Sequence, residues 1–109
     1  MSGAFATPFF DADADNSAQT MKGSAGQLHL LEVQNPNAAA AYLQLFDHAA
    51  PTVGTTVPVL SFIIPANGSM DKMFTTPIDF ATAITYACTT TPTGNGDPAV
   101  GLVLNAAFG

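Results

Sequence analysis

Two histidines, one cysteine, scattered serines and a run of alternating aspartates are the side chains in this sequence from which a reactive or metal-binding centre could be assembled. Nucleophilic catalysis needs a hydroxyl or thiol within hydrogen-bond reach of an oriented base. His29 lies between two leucines in an apolar run and His48 follows Asp47 at the start of a loop, while Ser61 and Ser69 are flanked by strand and turn residues rather than by a GxSxG elbow. No catalytic residues are assigned, and no enzymatic activity is expected. Asp11, Asp13 and Asp15, followed by Asn16, look like the opening of a calcium loop. The sixth position, which needs glycine, is Asn16, and the twelfth, which needs glutamate, is Lys22. The stretch is read as a solvated acidic segment, so neither a metal nor a cofactor is implied. Cys88, the single cysteine, has no CxxC or Cys/His pattern around it and sits in ITYACT, where it reads as a small buried hydrophobe. Asn95, between Gly94 and Gly96, reads as a turn rather than a phosphate loop, because Asp97 would repel the anion.

The elements that must carry these residues are strands. The chain has 109 residues and is 48% hydrophobic, enough for one domain with about two-thirds of its surface buried. From Gln27 onward six short apolar runs alternate with Pro, Gly and Asn, which predicts an all-β fold, a small antiparallel β-sandwich of jelly-roll or immunoglobulin-like type. QLHLLEVQ changes phase between Leu28 and Leu31, as a β-bulge would require, and Asn35-Pro36-Asn37 stops it. Residues 38–50 also match a helix, with four alanines and Asn37 as an N-cap, but the flanking strands favour a strand. In IDFATAITYACT the residues Ile78, Phe80, Thr82, Ile84, Tyr86 and Cys88 alternate with a small neutral set, Asp79, Ala81, Ala83, Thr85, Ala87 and Thr89. Such a weakly polar wall suits contact with another subunit.

Residues 1–26 differ in kind from residues 27–109, which form the expected sandwich domain. They lack any apolar period and read as an extended N-terminal arm bearing Phe5, Phe9 and Phe10. These three phenylalanines are the candidate partner-binding residues, since aromatic side chains dominate interface energetics; folding back onto their own domain is the alternative. Deletion of residues 1–20 is then expected to abolish partner binding and spare the β-sheet.

Charge narrows the partners. Eight carboxylates against Lys22 and Lys72 give a formal net charge of −6, which argues against nucleic acid and against anionic membranes. The first 20 residues carry no Lys or Arg, and Pro8 and three aspartates interrupt them, so no targeting segment is expected.

Taken in order, LHLLEVQNPNAAAAYLQLFD, VGTTVPVLSFIIPANGSM, FTTPIDFATAITYACTTT and VGLVLNAAF resemble a group of small virion proteins of tailed bacteriophages and prophages. The shared series is an Asn-containing turn, an Ala-rich strand leading to an aromatic residue and Asp, a Gly-Thr-x-x-Pro loop, a Pro-Ala-x-Gly turn and a Phe-Thr-x-x-Ile segment, spanning Leu28 to Phe108. The resemblance implies a capsid decoration or cement protein on the outer surface of the virion head. It would be bound to the major capsid protein, as a homo-oligomer with a trimer favoured. A tail or fibre component and a carbohydrate-binding module are the alternatives.

Overall fold

The computed structural model describes residues 6–109, so Phe5 lies outside the described residues. Eight strands are formed among the described residues: β1 Thr7–Ala14, β2 Gln19–Lys22, β3 Gly26–Gln34, β4 Ala41–Phe46, β5 Leu60–Ile64, β6 Ser69–Phe80, β7 Ile84–Thr89 and β8 Leu102–Phe108. They form two antiparallel four-stranded sheets, ordered β1-β8-β3-β6 (sheet A) and β2-β7-β4-β5 (sheet B), packed face to face. This strand order is that of a jelly roll, in which one long hairpin is wound up so that β4 meets β5, β3 meets β6, β2 meets β7 and β1 meets β8. Of the two sandwich types expected, the jelly roll is the one formed.

The core lies between the sheets. Leu28, Leu31, Val33, Leu102 and Leu104 from sheet A meet Leu43, Leu45, Ile64, Ile84, Tyr86 and Cys88 from sheet B, all fully or almost fully buried. The phase change in β3 is the expected bulge: the register slips between Leu28 and Leu30, which keeps both Leu28 and Leu31 on the core side. Residues 41–46 are strand, as preferred, and Asn37 caps no helix. Its side chain instead clamps the backbone of Val100, accepting from the N–H at 2.8 Å and donating to the carbonyl at 2.8 Å.

Three expectations need adjustment. First, the described part of residues 1–26 is extended but does not stand apart as an arm. Residues 7–14 add β1 to the open edge of β8, and residues 19–22 add β2 to β7. An exposed edge offers unpaired N–H and C=O groups, and the two segments satisfy them without needing an apolar period of their own. Removing residues 1–20 would therefore strip strands from both sheets rather than trim a tether.

Second, residues 69–80 are one strand through Pro77, tolerated because β6 is an edge. The chain turns at Ala81–Ala83 instead, where the Asp47 carboxylate accepts the N–H groups of Ala81, Thr82 and Ala83 at 3.0, 2.8 and 3.3 Å. Those bonds hold its pKa below the usual 3.8, with the Thr82 N–H the largest cause and Ala81 next.

Third, the small neutral wall at Thr85, Ala87 and Thr89 is covered by the protein's own loops. Gln44 on the same face donates to Gly94 O at 2.9 Å, Ser61 to Pro92 O at 2.8 Å, and Thr85 to His48 O at 2.8 Å. Small residues suit this wall because the β7–β8 loop lies over Gln44 and Thr89 and the start of the β4–β5 loop over Thr85, and Gln44, Thr85, Ala87 and Thr89 are buried.

Candidate functional site

Each residue with chemical potential occupies a separate structural position. His29 sits half-buried on the β3 bulge, and His48 is exposed with its Nδ1 accepting from Ala50 N at 2.9 Å. The Ser61 hydroxyl is committed to Pro92, and Ser69 is paired opposite Gln34 at the start of β6. The aspartates diverge. Asp11 Oδ1 accepts from Asp13 N at 2.9 Å and Asp15 Oδ1 from Ser17 N at 2.9 Å, while the Asp15 backbone carbonyl accepts from Cys88 N at 2.7 Å. Among the described residues no group of three or more His, Cys, Asp and Glu could hold a metal ion.

Phe9 and Phe10 part company because strand side chains alternate between faces. Phe9 turns inward, its ring edge-on to Tyr86 with centroids 5.7 Å apart, and the Tyr86 hydroxyl donates to Asp11 Oδ2 at 2.5 Å. β1 is thereby bonded through its side chains to β7 of the opposite sheet. Phe10 turns outward and is 64% exposed.

The surroundings of Phe10 form the most open apolar surface on sheet A. Strand register sets Pro8, Ala107, Leu30 and Met73 side by side across β1, β8, β3 and β6. The adjacent row is Phe10, Asn105, Glu32 and Asp71, in which Asn105 Nδ2 donates to Glu32 Oε1 at 2.8 Å. Met73 is 81% exposed, and the loops that cover sheet B have no counterpart here among the described residues. The face thus offers an aromatic ring and a flexible thioether next to a hydrogen-bonded acidic patch. That chemistry suits a protein surface, where aromatic and Met side chains are enriched in contact cores, and it contains no group arranged to activate a nucleophile. The sequence pointed to Phe10 but not to Met73 or Leu30. Met73 belongs to a strand whose Asp and Lys neighbours concealed its alternation, and Leu30 depends on the bulge.

Two grooves remain. One, of about 450 Å³, lies between the Ala38–Ala41 loop and Pro98–Ala99 and is lined mainly by methyl groups. The other, of about 430 Å³, is polar, with Glu32, Gln34, Asn67 and Ser69 on its walls and no aromatic ring.

Cys88 is buried, and its thiol is pushed up from 9.0 to about 12, first by burial and then by the charges of Asp11 and Asp15. The Tyr86 phenol is raised in the same direction by burial and then by its bond to Asp11. Both groups must stay neutral in the folded state. The Cys88 contribution is complete below its ordinary value and is lost as pH climbs from 9.0 toward 12, and the Tyr86 contribution begins to fall only above 10.0. Urea melts at pH 8 and pH 11 should therefore show lower stability at the higher pH, and a Cys88→Ala change should remove part of that difference.

No family model matches the chain, and neither a curated protein nor a solved structure matches it.

Proposed function

We propose that this protein is a non-enzymatic structural component of a bacteriophage virion, a capsid decoration or cement protein that binds the major capsid protein on the outer surface of the head. The observation that carries the reading is the open outer face of sheet A, with Phe10 and Met73 presented on a rigid sheet. A jelly roll also fits, since viral capsid domains use it, though lectins and cupins do as well. Binding through a sheet face requires no lid, cofactor or moving part. With a formal net charge of −6, the protein is also disfavoured from competing for packaged DNA.

Of the sequence-level anchors, Phe10 is retained as the contact residue and Phe9 becomes the residue that fixes β1 in place. The test is co-sedimentation with purified heads lacking the protein. Phe10→Asp, a change at an exposed site, should leave the circular dichroism intact and weaken retention about 30-fold, the effect of losing one interface anchor of ~2 kcal/mol. Full retention of this variant together with a Met73→Asp variant would remove the face from consideration. The carbohydrate-binding alternative draws on the polar groove at Glu32, Gln34, Asn67 and Ser69. A glycan array showing specific binding that an Asn67→Ala change abolishes would favour it.

A further inference from the structure

The four sheet edges are unequally protected. β1 carries Pro8, Asp11 and Asp13; β2 is four residues long and ends in Lys22; β6 carries Asp71, Lys72, Pro77 and Asp79. Charge, proline and brevity are the usual means of keeping an edge from pairing with another chain. β5, LSFII, carries neither charge nor proline within its five residues, and no strand pairs with its far side among the described residues. No Asp, Glu, Lys or Arg occurs from Ala49 to Met70. The same segment exposes Val57 (81%), Val59 (51%) and Ile63 (55%).

We infer that two copies of this chain associate through β5, edge to edge and antiparallel, so that sheet B continues across a two-fold axis into an eight-stranded sheet. The charge pattern selects a second copy as the occupant. Two molecules of formal charge −6 repel each other over most of their surface, and the uncharged β5 segment is where they can approach at least electrostatic cost. A cationic partner would be drawn to the carboxylates elsewhere and would gain nothing from this edge. The strand is also self-complementary. Pairing about Phe62 sets Leu60 of one copy opposite Ile64 of the other on the core-facing side, and Ser61 opposite Ile63 on the outer side. Such an isologous contact closes on itself and makes a discrete dimer rather than a fibre. The two-fold symmetry differs from the three-fold arrangement that resemblance to decoration proteins implies, and the contact does not use the sheet A face assigned to the shell.

Sedimentation velocity of the free chain, from low micromolar to millimolar concentration, tests the inference without any phage component. The expected result is a reversible monomer–dimer equilibrium. Ile63→Lys and, separately, Val59→Lys should each weaken it at least tenfold with unchanged circular dichroism, while Met73→Lys on the other sheet should leave it unaltered. Amide hydrogen exchange in residues 60–64 should slow as the dimer fills. A chain that stays monomeric at millimolar concentration, a trimer, a dimer indifferent to both lysines, or unchanged exchange in β5 would each overturn it. Loss of head binding with the dimer intact would instead count against the shell-binding reading alone.

Discussion

Replacing Asn35 by leucine should cost about 3–5 kcal/mol and lower the melting temperature by at least ~15 °C. The side chain is 2% exposed and its amide is aimed at three carbonyls, Ala39 O at 3.0 Å, Ile64 O at 3.2 Å and Pro65 O at 3.1 Å. Its Oδ1 accepts from Asn37 N at 3.0 Å and from Asn37 Nδ2 at 2.9 Å, and Asn37 in turn holds Val100. One amide thus ties the β3–β4 loop to the β5–β6 turn and, through Asn37, to the start of β8. Leucine has a similar volume but returns no hydrogen bond, and each buried polar group left unpaired costs ~1–3 kcal/mol. Because a domain has only ~5–15 kcal/mol of stability, the variant should be partly unfolded at 37 °C. Asn35→Asp provides the internal check. It keeps the acceptor but sets a carboxylate against three carbonyls, which raises its folded pKa, so this variant should gain stability as pH falls. Melts within 5 °C of the parent for both variants would show that the cluster is peripheral to stability.

Tyr86→Ala should be comparably damaging, at about 3–5 kcal/mol. Tyr86 is 1% exposed, at the centre of β7, and it supports Phe9 by ring contact and Asp11 by hydrogen bond. Tyr86→Phe keeps the ring contact and loses only the bond to the carboxylate, for which ~1.5–3 kcal/mol is expected. Denaturant unfolding of the two variants separates packing from hydrogen bonding. In Tyr86→Ala the first region to lose amide-exchange protection should be β1, since its inward side chains then lack a counterpart on sheet B. Equal losses in the two variants would assign the whole effect to the hydroxyl.

The sequence made most strands after Gln27 readable because each is a short apolar run closed by Pro, Gly or Asn, but the long run Ile78–Thr89 is divided, its first three residues ending β6 and its last six forming β7. The bulge in β3 was readable too, since Leu28 and Leu31 cannot share a face without one. What local pattern could not convey was determined by distant partners. Thr7–Ala14 has no alternation strong enough to announce a strand, and it becomes one because β8 offers an edge and Tyr86 offers a contact. The turn at Ala81–Ala83 contains neither Gly nor Pro, and it exists because Asp47, more than thirty residues earlier, collects its amides. Thr85, Ala87 and Thr89 were legible as a small neutral face, but not the two loops that cover it, one at His48 and one at residues 91–94 whose own sequence signals only flexibility. Of the candidate contact residues, Phe9 and Phe10 are adjacent in sequence and opposite in role. Alternation alone requires that they differ, and the sheet then decides which is inward.

The wound-hairpin pairing has a consequence for how the molecule is made. Among the mirror-image pairs β4 and β5 are joined by the shortest stretch of chain, and each later pair, β3 with β6, β2 with β7 and β1 with β8, encloses the one before it. Closing a longer loop costs more entropy unless an inner pair has already brought the ends together, so assembly is favoured from the middle of the chain outward. Topologies dominated by such distant pairings fold in milliseconds to seconds. During that interval β5 is among the first strands in place and keeps one side unpaired throughout, while β1 and β8, which lie near the two ends of the described chain, are the natural place for unfolding to begin.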